Sequence, residues 1–293
     1  GSVTILSWIL AIIGALGLAY IFAKLGLLDP QEGGPVAYAS QVSPIFGFQA
    51  QTLYFHANWI GNLAIAITAI SYLEPLCPSL KNPFLSGICV IAEIWIMTIC
   101  NLMGAKWIGR IASIGFVFVL IPIILTATWG WVKFKPDLFM ANWNITNTST
   151  IHAMVSGILL CIWSFIGVES ELVDRPNFTI PWSTMLGVLI ASVIYISSTT
   201  VINGMYPLKT IINSEAPFSM VISTLTTPKL GIIVSVLMSL ACFATLGSWI
   251  MVVAQAGLRA SHDGNLPQLF GKLNKNGIPA NGVVATSIFM TIF

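Results

Sequence analysis

Three polar side chains recur at helical spacing within one apolar stretch of the sequence. Tyr54, Asn58 and Asn62 are four residues apart, so in a helix they lie on one face. That face offers a phenol and two amides, which are neutral groups that donate and accept hydrogen bonds. Two interpretations fit the pattern: hydrogen bonding between helices, or one wall of a binding site for a polar substrate.

A second candidate is the run from Ile162 to Ser170, with the sequence IWSFIGVES. Trp163, Gly167 and Glu169 interrupt an otherwise apolar helix there. Interrupted helices are a common mark of a transporter's substrate site, and the glycine lets backbone or substrate approach closely. Glu169 lies near the end of its apolar span, so a solvated surface carboxylate is the alternative interpretation.

Three further residues carry chemistry whose use the sequence leaves open. Trp249 presents an aromatic ring that suits either core packing, which we favour, or the binding of a cation. Glu93 lies in the middle of a span and fits either a proton site or a neutral acid bonded to a neighbouring helix. His56 points away from Asn58 at helical pitch, and we interpret it as a packed or interfacial histidine.

Apolar helices must position all of these side chains. Of the 293 residues, 56% are hydrophobic and 8% are charged, against about 25% charged in soluble domains. The apolar runs reach the length of about 18 or more residues that crosses a bilayer. We therefore predict an all-α, multi-pass membrane protein with eight spans, at about residues 3–28, 44–75, 84–104, 107–132, 151–172, 180–206, 229–258 and 280–293.

Composition and charge exclude several other classes of protein. The net charge is +2, from 12 basic and 10 acidic residues, which indicates no nucleic-acid partner. The five cysteines form no CxxC pair and there are only three histidines, so we expect no metal and no cofactor. GxSxG, HExxH and GxxxxGK[ST] patterns are missing from the sequence, which argues against an enzyme.

Loop charges and chain ends give the expected topology. Seven Lys and Arg residues lie on the side that holds the loop at 259–279, against five on the other side, so we predict that this loop is cytoplasmic. The apolar pattern begins almost at Gly1 and continues to Phe293. We therefore treat residues 1–293 as a single transmembrane transporter domain, truncated at both ends.

Four motifs together resemble a known family of transporters. They are IIGALGL at 12–18, WIGN at 59–62, WSFIGVES at 163–170, and the Asp263-Gly264 pair within 255–267. They resemble the basic amino acid/polyamine antiporters of the amino acid–polyamine–organocation (APC) superfamily. Within that family the motifs resemble the arginine/agmatine antiporters in particular, and the lysine/cadaverine and ornithine/putrescine exchangers share much of the pattern.

The resemblance implies a fold and a location. The expected fold is a LeuT-like inverted-repeat transporter bundle of twelve helices, with helices one and six broken at the bilayer midplane. The chain would run from about helix two to helix nine, with span five as helix six and its break around residues 164–167. The resemblance also implies a bacterial inner (plasma) membrane protein, and we expect a homodimer.

The resemblance also assigns roles to single residues. Trp163 would be an aromatic gate over bound substrate, Trp249 would stack on a guanidinium, and Asn62 would form the polar wall. We expect these three to converge on one cavity near the midplane. The substrate-binding residues implied are Ala57, Asn58, Asn62, Ile65, Trp163, Ile166 and Trp249, and the gating residues are Tyr54, Trp163 and Glu169.

The implied function is exchange of a cationic amino acid, most specifically L-arginine, for its decarboxylated amine, agmatine, in acid resistance or amino acid uptake. Each cycle would export net positive charge, so a cytoplasmic amino acid decarboxylase is the functional partner. A guanidinium can be held by aromatic faces and amide oxygens without a buried carboxylate. The alternatives are an ornithine/putrescine or lysine/cadaverine exchanger, or a non-transporting remnant of such a gene.

Three features depart from the family pattern. The first helix, which binds the substrate carboxylate, is absent, so we expect the 293-residue chain alone to insert in a membrane but not to exchange substrate. The segment 171–177 is about five residues shorter than in the family. Asn58 and Glu93 stand where the arginine exchanger has a small thiol and an apolar residue, which indicates altered specificity or a decayed gene.

Overall fold

The computed structural model describes residues 1–28, 34–146, 148–167 and 176–293. Within these ranges the chain is almost entirely helical, and it contains no β-strand. The helices are α1 (Thr4–Leu28), α2 (Gly34–Val42), α3 (Pro44–Ser71), α4 (Pro83–Met103), α5 (Ala105–Trp129), α6 (Pro136–Ala141), α7 (Thr150–Trp163), α8 (Pro176–Met205), α9 (Leu208–Ile212), α10 (Pro217–Leu225), α11 (Pro228–His262) and α12 (Ala280–Ile292). Two 3-10 turns, Pro78–Lys81 and Gly130–Lys133, precede α4 and α6.

Eight apolar helices correspond to the eight predicted spans. In the described part of the chain, six segments are long and apolar enough to cross a membrane: Thr4–Leu25, Pro44–Ser71, Pro83–Met103, Ala112–Lys133, Met185–Met205 and Pro228–His262. The other two, α7 and α12, are apolar but shorter. The prediction of an all-α membrane protein is confirmed, although α7 ends well before the predicted limit of span five.

Three of the long helices begin in the same way, with a capping residue followed by a proline. In α3, α4 and α11 a proline occupies the first turn, where its missing N–H is not needed. The residue before it caps the helix, as when the Ser43 hydroxyl oxygen accepts a hydrogen bond of 3.1 Å from the backbone N–H of Ile45. The three cap and proline pairs are Ser43-Pro44, Asn82-Pro83 and Thr227-Pro228.

The chain divides into two compact units, and the first comprises residues 1–38 and 123–217. Here α1 packs against α7 and α8. The contact uses small residues of α1 spaced four apart, which let helix backbones approach closely. Ala11, Ala15 and Ala19 are buried there together with Cys161, Phe165 and Val188.

The second unit comprises residues 39–122 and 218–293. Its centre is the packing of α3 on α11, with α4 and α12 completing the bundle. The apolar core includes Trp59, Ile94 and Ile250. The prediction that residues 1–293 form one transporter domain stays a prediction.

Candidate functional site

The polar face predicted for α3 is turned inward. Asn58 and Asn62 are buried and Tyr54 is half-buried, whereas His56 is exposed. The exposed imidazole Nδ1 lies 2.9 Å from the Thr52 carbonyl oxygen of its own helix. Helical spacing therefore predicted which side of α3 carries the polar groups.

The two buried asparagines of α3 differ in what they bond. The Asn58 side-chain nitrogen donates a hydrogen bond of 2.7 Å to the Tyr54 carbonyl oxygen one turn earlier, so part of its capacity is used within the helix. Asn62 is only 1% exposed, and its side-chain nitrogen has no hydrogen-bond partner among the described residues. An unsatisfied buried amide costs roughly 1–3 kcal/mol. Asn62 therefore has the unused bonding capacity that a substrate contact requires.

The remaining candidates of the second unit lie around this face. Ile65 is half-buried and packs against the apolar core, and Ala57 is exposed. On α11, Trp249 is half-buried and directly precedes the fully buried Ile250. These positions agree with a wall that is polar at Asn62 and apolar beside it, and the roles of Ala57 and Trp249 in binding stay predictions.

In the first unit, α7 ends at Trp163, where the sequence predicted a helix break. The backbone N–H groups of residues 164, 165 and 166 bond to carbonyl oxygens three residues earlier, at 3.2, 2.9 and 3.2 Å, which is the tighter 3-10 pattern. Gly167 follows with φ of +112°. Side chains rarely adopt this conformation, so glycine allows the backbone to leave the helix here.

At this helix break some side chains are exposed and others are buried. Trp163 is 46% exposed and Ile166 is 42% exposed, whereas Phe165 between them is 7% exposed. The Phe165 ring packs against Trp8 and Tyr195, with centroid separations of 6.2 and 5.6 Å. Phe165 therefore anchors the turn, while the Trp163 ring and the Ile166 side chain remain exposed and can contact another group.

Sequence reasoning missed the residues that hold this turn. Trp8 on α1 and Tyr195 on α8 stack at 5.0 Å, and the Tyr195 hydroxyl donates a bond of 3.3 Å to the Ser164 carbonyl oxygen. All of these lie in the first unit. Mid-span aromatic residues were the available signal, but their convergence depends on how three helices pack.

Other predicted features of the site stay predictions. Glu169 lies outside the described residues, as do residues 171–175 of the shortened segment. The shared cavity of Trp163, Asn62 and Trp249 also stays a prediction, since Trp163 belongs to the first unit and the other two to the second.

The family model described as amino acid permease matches residues 1–293. The chain belongs to the amino acid permease family. It is accordingly a multi-pass protein of the bacterial inner membrane, in agreement with its apolar helices. This family lies within the superfamily that the four motifs resemble.

Curated relatives align with almost the whole length of this permease. The cadaverine/lysine antiporter of Escherichia coli (strain K12) is 46% identical over 296 residues, which is 99% of this chain and 67% of that protein. The putrescine transporter PotE of the same strain is 33% identical over 297 residues, or 99% and 68% of the two chains. PotE of Haemophilus influenzae is 31% identical over 298 residues, or 100% and 68%. The chain spans about two thirds of the length of these relatives.

Proposed function

We propose that this permease is an antiporter that exchanges lysine for cadaverine. The supporting observation is the 46% identity to a cadaverine/lysine antiporter over 99% of the chain, against 33% and 31% for the putrescine transporters. A transporter of this kind catalyses no covalent reaction, so we do not propose an enzyme. The more general proposal, exchange of a cationic amino acid for its decarboxylated amine, agrees with the antiporter, and transport of a polyamine agrees with all three relatives.

The chemistry of the α3 face suits cargo of this class. Lysine and cadaverine share an ammonium group on an aliphatic stem, and an ammonium is held by amide oxygens and by aromatic faces. Asn62 supplies a buried amide with unused capacity. A half-turn of that amide exchanges its nitrogen and oxygen, so it can present either a donor or an acceptor. A neutral site also keeps affinity moderate, which lets the cargo leave on the far side.

Because the two substrates differ in charge, their exchange moves net charge across the membrane. Decarboxylation of lysine consumes a proton and removes a carboxylate, so cadaverine carries one more positive charge than lysine. Import of lysine against export of cadaverine therefore removes one positive charge per cycle. A cytoplasmic lysine decarboxylase would be the functional partner, and a homodimer remains part of the proposal on the resemblance alone.

Arginine/agmatine exchange is the second candidate. The motifs, including the octet Trp163 to Ser170, resemble the arginine exchangers, although the lysine and ornithine exchangers share much of the pattern. A planar guanidinium also stacks on a tryptophan ring, a role that the resemblance gives to Trp249. The relatives described above do not confirm this specificity, and the lysine/cadaverine pair agrees better with them.

Counterflow in proteoliposomes tests the proposal. The full-length gene product is reconstituted with internal cadaverine, agmatine or putrescine, and uptake of labelled lysine, arginine or ornithine is followed. We expect the fastest uptake for labelled lysine against internal cadaverine. Faster uptake of arginine against agmatine would overturn the choice of substrates, and no counterflow with any pair would overturn antiport itself.

A matched pair of variants tests the site within the same assay. Trp163→Leu removes the ring at the end of α7, and Trp129→Leu removes a ring of the same 46% exposure on α5. We expect only Trp163→Leu to slow counterflow, because the resemblance places Trp163 at the substrate and gives Trp129 no role there. Equal losses in the two variants would indicate a general effect on the bundle.

A further inference from the structure

Glu93 is a carboxyl group at the middle of a membrane-spanning helix. It lies ten residues after Pro83 and ten before Met103, the two ends of α4. At 1.5 Å per residue it is about 15 Å from either end of the helix. Its side chain is 1% exposed. None of the roles implied by the family resemblance uses this residue.

The surroundings of Glu93 leave its oxygen atoms unpaired. Both carboxyl oxygens are buried and have no hydrogen-bond partner among the described residues. On the same helix, Val90, Ile94 and Met97 belong to the apolar core of the second unit. The interpretation of a neutral acid bonded to a neighbouring helix is therefore not supported, and an apolar setting of low dielectric remains.

Basic side chains on the helices around Glu93 are distant. α3, α4 and α12 contain no Lys or Arg. Lys81, in the 3-10 turn before α4, is exposed and lies twelve residues from Glu93, about 18 Å along the helix direction. On α11, the basic residues lie at the two ends of the helix, Lys229 in the first turn and Arg259 and His262 in the last.

An ionised carboxylate without a cation or hydrogen bonds is very costly in such a setting, and such groups take up a proton instead. The other titratable groups on neighbouring helices are few. Tyr54 on α3 is half-buried, His56 on α3 is exposed, and α12 carries none. On α4 itself Cys89 precedes Glu93 by one helical turn, and α11 carries the half-buried Cys242.

We propose that Glu93 is a proton-binding site on α4, within the apolar core that α3, α4, α11 and α12 build together. The ligand is the proton, and binding converts a buried carboxylate into a neutral acid. The proposal does not depend on which amino acid and amine the permease exchanges. It adds a titratable site to a bundle whose α3 face is neutral.

Infrared spectroscopy of the full-length gene product in lipid reads this site directly. We expect a carbonyl band of a protonated acid at neutral pH that is lost in Glu93→Gln and retained in Glu215→Gln, which changes an exposed carboxylate. The band should shift to lower wavenumber in heavy water as the acid exchanges its proton. A band that is absent, unchanged in Glu93→Gln or insensitive to heavy water would overturn the proposal.

Chemical labelling gives a second measurement that does not rely on one variant. Dicyclohexylcarbodiimide modifies protonated carboxyls in apolar surroundings, and mass spectrometry locates the adduct. We expect an adduct on Glu93 that decreases as the pH rises. If Glu93→Gln fails to fold, Glu93→Leu replaces the acid by an apolar group at little cost in stability. No adduct on Glu93 at any pH would refute the proton site, whereas failure of lysine counterflow would refute only the proposed function.

Discussion

Replacement of Asn62 by leucine distinguishes a substrate-binding wall from hydrogen-bonded packing. The Asn62 amide nitrogen is buried without a partner among the described residues, so Asn62→Leu replaces a costly group by an apolar one of similar shape. Relief of one unsatisfied group amounts to about 1–3 kcal/mol. We therefore expect Asn62→Leu to raise the free energy of unfolding of the substrate-free permease by about that amount and to abolish exchange.

Asn142 is the matched control, because it is a buried asparagine with its bonds made. Its side-chain nitrogen donates to the carbonyl oxygens of Asn203 and Tyr206 at 2.7 and 2.8 Å, and its oxygen accepts from the Leu208 N–H at 3.1 Å. At about 0.5–1.5 kcal/mol for each bond, Asn142→Leu should lower the free energy of unfolding by about 2–4 kcal/mol. The two substitutions should therefore shift stability in opposite directions.

Unfolding in mixed detergent micelles, with and without substrate, is the assay. Lysine at about 100 times its Kd should stabilise the wild-type permease by about 2.7 kcal/mol. Asn62→Leu should lose this increment, whereas Asn142→Leu should keep it as far as it folds. If Asn62→Leu destabilises the substrate-free protein as Asn142→Leu does, the Asn62 amide contributes to packing and not to a substrate-binding wall.

Three further substitutions, two of them paired with a control, test the Trp249 ring, the turn at Gly167 and the packing of α1. Trp249→Leu should weaken cation binding by about 1–2 kcal/mol, or about 5–30-fold in Kd, whereas Trp95→Leu, another half-buried tryptophan, should leave Kd unchanged in calorimetry. Gly167→Ala should cost about 1–3 kcal/mol of stability because of its φ of +112°, and unchanged stability would contradict the strain argument. Gly187→Ala in α8, where an added Cβ meets nothing within 4 Å, should not destabilise. Ala19→Leu should overpack the contact of α1 with α7 and α8 by about 1–3 kcal/mol, measured by unfolding, and an unaffected variant would show that this contact is loose.

The sequence predicted features that depend on local pattern. Apolar runs located the eight helices, and a period of four residues placed Asn58 and Asn62 inward and His56 outward. Trp163 and Gly167 marked the end of α7, because a glycine with positive φ is a local requirement. Segments between the spans were harder, and the short helices α2, α6, α9 and α10 went unpredicted because propensity is weak over so few residues.

Features that depend on packing could not be predicted from spacing. Asn58 and Asn62 look equivalent in the sequence, yet the Asn58 side-chain nitrogen donates to its own helix and the Asn62 nitrogen has no partner among the described residues. The anchoring of Phe165 by Trp8 and Tyr195 needs three helices to meet. Substrate choice was harder still, since the motif that favoured arginine is shared among exchangers whose cargo differs by one functional group.

The neutral face of α3 and the buried acid of α4 address the same physical problem, which is the charge of the cargo. Cadaverine carries one more positive charge than lysine. At an effective dielectric constant of about 20, two unit charges about 10 Å apart interact by about 1.7 kcal/mol, so an ionised carboxylate at that separation would favour cadaverine more than tenfold. An exchanger must release both substrates, so such a bias would slow its cycle, and a protonated Glu93 removes the bias. Exchange should therefore slow as Glu93 ionises at high pH, with cadaverine held more tightly, while Glu93→Gln stays fast. Identical pH profiles for wild type and Glu93→Gln would show that the acid and the cargo do not sense each other.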